Sequence, residues 1–352
     1  MNERIERLRG ELGELGAATF LVTNSVNVRY LTGFDSSNAA LLVSGDRLVV
    51  ATDGRYVEAA RGLGGLEVHA ADRDVLGWLG DRLGALAEGP VAFEADTVTV
   101  AGHQALSANG ASLLPASGVV LRLRSVKDDG ELDAIRRAGR ITTAAYERLT
   151  REPFVGRTEA AVAWSMEQAL REEGADALAF PVIVASGPNS ALPHHHPGQR
   201  EIGAGETVIV DAGALVDGYC ADCTRTFATG PLPEELRQAY ALCRSAQENA
   251  LAAVRAGATA RDLDAIARGE IQASGLAPVV HGLGHGVGLE VHELPVLRPT
   301  STDVLAAGSV VTIEPGVYLA GRGGVRIEDL VVVGEEGPEV LTTFTKDLLT
   351  LH

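Results

Sequence analysis

Residues 207–228 read TVIVDAGALVDGYCADCTRTFA and residues 310–329 read VVTIEPGVYLAGRGGVRIED. Each stretch opens as a short apolar run of strand type and then meets an acid, Asp211 in the first and Glu314 in the second. A carboxylate at the end of a buried strand costs several kcal/mol unless something compensates its charge. A second acid follows in each stretch: Asp222 lies eleven residues after Asp211, beyond Leu215–Gly218, and Glu328 fourteen after Glu314, beyond Gly321–Gly324. Read as hairpins, the acids sit symmetrically about each turn, so antiparallel pairing would bring each pair together. Like charges so placed destabilise a sheet. Four acids in two hairpins therefore ask for a cation.

Six of the nine histidines, His194, His195, His196, His281, His285 and His292, fall in this same half of the chain. His285 sits in GLGHGVG (282–288), where minimal side chains let the backbone approach a crowded centre. Four carboxylates and one imidazole form a hard, oxygen-rich ligand set that suits two divalent ions of the Mn²⁺ type, with Zn²⁺ and Co²⁺ as alternatives. The formal charges of four acids and two dications cancel, leaving a bridging hydroxide as nucleophile. The structural alternative is acids at solvated hairpin ends.

Around this centre the chain predicts two domains, an α/β domain over residues 1–123 and an α+β domain over 124–352. Ile5, Leu8, Leu12 and Leu15 recur at helical spacing; Thr19–Val22, Ala39–Val43, Arg47–Ala51 and Pro90–Phe93 read as strands, and Val75–Leu86 as a helix. VVLRLRSV (119–126) reads as a strand at the boundary. Longer helices follow, one with Leu132, Ile135 and Leu149 on its stripe, one after Thr158, one from Pro233, and one opened by Thr259–Asp262 and stopped by Gly275.

Composition narrows the class of partner. The 352 residues carry 30 Lys plus Arg against 47 Asp plus Glu, a formal charge of −17, which disfavours nucleic acid and anionic membranes. The opening MNERIERLRGELGELG has no apolar signal core and no apolar run reaches membrane-spanning length; three cysteines fit a reducing compartment, so a cytoplasmic location is expected. Cys220-Ala-Asp-Cys223 lacks a second pair for a zinc site, Gly282-x-Gly284 lacks the third glycine of a dinucleotide loop, and His292-Glu293 lacks the second histidine of a zincin. His195 and His196 read as solvated imidazoles, as do His69, His103 and the terminal His352. Asp35-Ser36-Ser37-Asn38 reads as a turn.

The segments 211–226, GHGVGLEVHE (284–293), IEPGVY (313–318) and GVRIED (324–329) together resemble the pita-bread metallopeptidases. NVRYLTGF (27–34) and TDGRY (52–56) resemble, less specifically, the N-terminal domain of the proline-specific branch, which holds aminopeptidase P and prolidase. The resemblance implies that Asp211 chelates one metal ion, that His285 and Glu314 chelate the other, and that Asp222 and Glu328 bridge both. It further implies a proton shuttle at Glu314, substrate-facing roles for His194 and His292, a pocket lined by His281 and Arg326, and a homodimer in which the Asp35–Asn38 loop edges the neighbouring subunit's site.

The implied activity is hydrolysis of the X–Pro bond at a peptide N-terminus. That bond joins a tertiary amide with no N–H to grip, and a metal-activated nucleophile attacking the carbonyl needs none. The segments 30–39 and 52–56 look more like aminopeptidase P than prolidase, so the sequence favours the aminopeptidase, with the Xaa-Pro dipeptidase as its alternative. Methionine aminopeptidase would leave the first hundred residues unexplained. A creatinase-type enzyme or a non-catalytic pita-bread protein would be expected to have lost ligands, and all five are present.

Overall fold

The computed structural model describes residues 2–352, and the chain divides into two compact units, Met1–Arg124 and Ser125–His352. The first is built on a six-stranded mixed sheet of β1 (Thr19–Val22), β2 (Ala39–Ser44), β3 (Leu48–Asp53), β4 (Glu67–Ala71), β5 (Val91–Glu94) and β6 (Leu113–Ala116), in the order β4-β3-β2-β1-β5-β6. The first three strands pair antiparallel and the others join in parallel, a mixed α/β unit of the kind the alternation predicts. The helix Asn2–Leu15 buries Ile5, Leu8 and Leu12, as their spacing requires.

Two local expectations fail here. Val75–Leu86 is two short helices, Val75–Gly80 and Leu83–Leu86, because Gly77, Gly80 and Gly84 weaken helical continuity. The predicted strand at the boundary is a helix, Val119–Arg124. The alternation Leu121-Arg122-Leu123-Arg124 imitates a strand, yet the buried face is Val119, Val120 and Leu123, whose i, i+1, i+4 spacing is helical.

The second unit is α+β, as expected. Its strands are β7 (Ala177–Leu178), β8 (Ile183–Ser186), β9 (Thr207–Asp211), β10 (Ala214–Val216), β11 (Tyr219–Cys220), β12 (Thr224–Ala228), β13 (Gly284–Gly286), β14 (Glu293–Leu297), β15 (Val310–Ile313), β16 (Gly316–Leu319), β17 (Gly323–Arg326), β18 (Asp329–Val333) and β19 (Pro338–Val340), all paired antiparallel. The helices Asp129–Leu149 and Glu159–Glu172 pack with Val208, Val210 and Phe227 in one core. Glu234–Ala252 and Ala260–Ser274 pack with Val311, Ile313, Val325 and Val331 in a second. Because side chains alternate along a strand, sending these residues to the helices sends Asp211, Thr224, Thr312 and Arg326 to the opposite face.

Register then decides which acids meet. In the first hairpin Asp211 pairs with Thr224 and Val216 with Tyr219, about a two-residue turn at Asp217 and Gly218, whose φ values of 50° and 81° make both left-handed. The turn is thus centred one residue later than symmetric placement of the acids requires. Asp222 lies opposite Gly213 instead of Asp211, and the two carboxylates become diagonal neighbours on one face. Gly213 is obligatory there, since a Cβ would strike the Ala221 carbonyl.

In the second hairpin the expectation holds. One register, with Ile313 opposite Asp329 and Gly316 opposite Arg326, runs through both β15–β18 and β16–β17. It lapses only at the residues between, which include Glu314 and Glu328. Pro315 has no N–H to give, while the Glu314 N–H bonds the Leu283 carbonyl (2.8 Å) and the Glu328 N–H bonds the Thr224 carbonyl (3.1 Å). The ladder breaks where its acids must face a common centre.

Behind Glu328, the buried Arg225 holds the C-terminal segment to the sheet. Its guanidinium pairs with Asp329 (2.9 Å) and donates to the carbonyls of Glu328, Thr342, Phe344 and Thr345. Lys346 reaches the other Asp329 oxygen at 2.8 Å. Removing the arginine would leave a buried carboxylate and several carbonyls short of donors. Arg225→Ala is therefore expected to cost about 3–5 kcal/mol in urea unfolding, and a loss below about 1 kcal/mol would contradict this account of the clamp.

Candidate metal centre

The sheets bring four carboxylates and His285 into one buried cluster. Donor atoms of Asp222, His285 and Glu328 lie within 4.8 Å of one another. His285 Nε2 stands 3.1 Å from Glu314 Oε1 and 3.7 Å from Asp222 Oδ2. Its Nδ1 faces the Gly286 carbonyl at 3.1 Å, which places a proton on Nδ1 and aims Nε2 at the acids. Asp211 joins from its diagonal position, with Oδ2 held by Arg326 Nη2 at 2.7 Å.

The acids are unequally satisfied. Burial raises the pKa of Glu314, but the adjacent His285 outweighs it and draws the value down to about 2. Burial and the neighbouring acids push Asp222 and Glu328 well above the usual carboxylate range, and burial raises Asp211 as well. Glu328 accepts from Thr224 Oγ1 (2.7 Å), Asp222 accepts no hydrogen bond among the described residues, and Asp211 Oδ1 is buried without a partner. For His285, burial lowers the pKa and Glu314 more than restores it, so the ring holds a proton more readily than a free imidazole.

Arg326 organises the wall of the pocket. It is 4% exposed and commits four of its five N–H groups to protein: Nε to Thr224 Oγ1, Nη1 to the Pro193 carbonyl and Tyr318 Oη, Nη2 to Asp211. Tyr318 Oη in turn meets His281 Nε2 at 3.0 Å. The expected pocket residues His281 and Arg326 are thus joined through a tyrosine that sequence reasoning quoted but gave no role. Thr224, shared between Arg326 and Glu328, was missed; its signal was a hydroxyl two residues after Asp222, on the same strand face.

The remaining histidines divide. His292 is exposed, with its ring centroid 4.3 Å from that of His285; burial first and His285 second lower its pKa, favouring the neutral ring. His194 is exposed and near enough to His281 and His292 to influence both electrostatically. His196 is exposed, but His195 is not the solvated ring expected: its Nε2 bonds the fully buried Glu159 at 2.8 Å. The three cysteines are buried and none is in a disulfide, which agrees with packing in place of metal or redox chemistry.

An orphaned Asp211 oxygen, an Asp222 that accepts no hydrogen bond among the described residues and a histidine aimed between acids fit divalent cations and nothing apolar. A sign reversal follows. In metal-free protein, Asp222→Asn removes a buried charge without changing shape and is expected to stabilise by about 1–3 kcal/mol at pH 7. With Mn²⁺ in excess the same substitution is expected to destabilise relative to the parent. Thermal unfolding with and without the ion checks both, and destabilisation in both conditions would contradict the electrostatic reading.

Comparison with known proteins agrees with this geometry. The model of "Metallopeptidase family M24" matches residues 133–335, and that of the "Creatinase/Prolidase N-terminal domain" matches residues 4–126. The solved Xaa-Pro dipeptidase of Bacillus anthracis is 37% identical, covers 99% of each chain and superposes with a TM-score of 0.94. The X-Pro aminopeptidase of Thermotoga maritima is 34% identical over 98% of this chain and 99% of its own, at a TM-score of 0.89. The Xaa-Pro dipeptidase of Pyrococcus furiosus is 40% identical over 66% of this chain and 67% of that protein. The first of these family matches spans more than half of the chain and takes in both acid-bearing hairpins, so the chain belongs to metallopeptidase family M24.

Proposed function

We propose that this chain is an Xaa-Pro dipeptidase using two divalent ions. What carries the metallopeptidase part is the buried cluster of Asp211, Asp222, His285, Glu314 and Glu328, short of positive charge and holding an orphaned carboxylate oxygen. What turns the preference from aminopeptidase P to dipeptidase is similarity: two of the three relatives described above carry the Xaa-Pro dipeptidase name, one of them aligned over 99% of each chain. The sequence segments that favour the aminopeptidase lie in the less specific N-terminal third.

In this reading Asp211, Asp222, His285, Glu314 and Glu328 would together hold the two ions. Mn²⁺ is the first choice, with Zn²⁺ or Co²⁺ as alternatives. Bound there, such ions supply Lewis-acid polarisation of the scissile carbonyl and the means to make a nucleophile of water at neutral pH.

The chain's own groups do the rest. Glu314, its pKa drawn down to about 2 by His285, would take up a proton and pass it on. The prolyl nitrogen carries no hydrogen and must gain one to leave, and the exposed His194 would assist that transfer. His292, neutral and exposed, offers a donor to the carbonyl oxygen as charge builds on it. Arg326 acts mainly through others, fixing Asp211, Tyr318 and the Pro193 carbonyl. The proposal includes a homodimer and a cytoplasmic location; no helix among the described residues is long and apolar enough to cross a membrane.

Assay of an X-Pro dipeptide beside an X-Pro-Y-Z peptide tests the substrate class. The dipeptide is expected to be preferred by about 100-fold or more in kcat/KM; equal or reversed preference returns the assignment to aminopeptidase P. His285→Ala is expected to lower kcat by about 1,000-fold or more, with circular dichroism unchanged and fewer ions bound per chain. Full activity in this variant would refute the ligand assignment.

A further inference from the structure

His194 belongs to a loop whose two neighbouring residues are both pinned. On one side the Pro193 carbonyl accepts from Arg326 Nη1 at 3.1 Å, the same guanidinium that holds Asp211. On the other side His195 Nε2 bonds Glu159 Oε2 at 2.8 Å, with 16% of the imidazole side chain exposed and none of the carboxylate. Glu159 is the first residue of its helix and is thoroughly engaged. Its Oε1 accepts from the Ser186 N–H and hydroxyl (both 2.8 Å) and from Asn189 Nδ2 (3.0 Å), while Oε2 also accepts from the Gly198 N–H at 3.3 Å. The Gly198 carbonyl accepts from the Ala160 N–H at 3.0 Å.

We infer that His195 and Glu159 are positioning residues for His194. Ordering an exposed imidazole costs conformational entropy that its own contacts do not repay. Here the backbone on either side is fixed instead, by a buried arginine and a buried glutamate, and the His194 ring is left free to face substrate. The carboxylate accepts only, so His195 must present its Nε2–H to Glu159, which settles that ring's tautomer and removes it from the chemistry. Alternation of role along the loop follows: Pro193 held, His194 presented, His195 held. The inference rests on the peptidase reading for the use made of His194, but the clamp itself stands on geometry.

The test uses the full chain loaded with Mn²⁺ and an X-Pro dipeptide. His195→Ala is expected to lower kcat/KM by about 10- to 100-fold, the scale of a misplaced reacting group. His195→Gln, whose amide can still donate to Glu159, is expected to recover most of that loss. In a His194→Ala background the His195→Ala loss should shrink to about twofold or less, because residues that act through one another are not additive. An undiminished loss there, or wild-type activity in His195→Ala, overturns the inference. Hydrogen exchange provides a readout independent of turnover: the amides of residues 194–196 and 198 should exchange at least about tenfold faster in His195→Ala. If the parent protein hydrolyses no X-Pro peptide, the functional reading fails while the exchange rates still decide the clamp, and unchanged exchange overturns it.

Discussion

Four carboxylates buried around one imidazole set the terms for everything else in the second unit. Water would solvate such charges easily, and a protein interior does not. The chain supplies only part of the compensation. Arg326 answers Asp211, His285 answers Glu314, and Asp222 and Glu328 are left with pKa values pushed well up by burial and by the neighbouring acids. Divalent cations would offset that residual imbalance, and an arrangement so unfavourable alone needs a rigid frame.

The frame is two helix-backed hairpins, each interrupted at its acids. A continuous ladder would spend the backbone groups of Glu314 and Glu328 on each other's strand. The breaks turn them toward Leu283 and Thr224, which ties the second hairpin to the residue just before β13, the strand of His285, and to β12, the strand paired with that of Asp211. Thr224 makes the closest link, accepting from Arg326 and donating to Glu328 through one hydroxyl. The outer faces of the same strands are apolar and pack on long helices, so the hydrophobic effect holds the acids in place against their own repulsion.

Much of this was legible in the sequence because the anomaly was local: an acid at the end of an apolar strand, twice, each followed by a turn and a second acid. The α+β character of the second unit and its four long helices were equally plain from spacing and caps. The register of Asp211 and Asp222 was not, since a shift of one residue in the turn centre moves the pairing by two, and only the left-handed Asp217-Gly218 pair reveals it. The helix at Val119–Arg124 was hidden by an alternation of leucine and arginine that serves either structure. His195 was misjudged because its partner, Glu159, lies 36 residues away in sequence, and no local pattern announces a contact of that range.

The central claim is that dications take the place of protons and missing partners in this cluster. Calorimetric titration of metal-free protein with Mn²⁺ near pH 6, repeated in buffers of different ionisation enthalpy, measures both the ions bound and the protons displaced. The account predicts two ions per chain and net proton release, because His285, Asp222 and Glu328 all have raised pKa values before the metal enters. Saturation without proton release, or no binding at all, would contradict it.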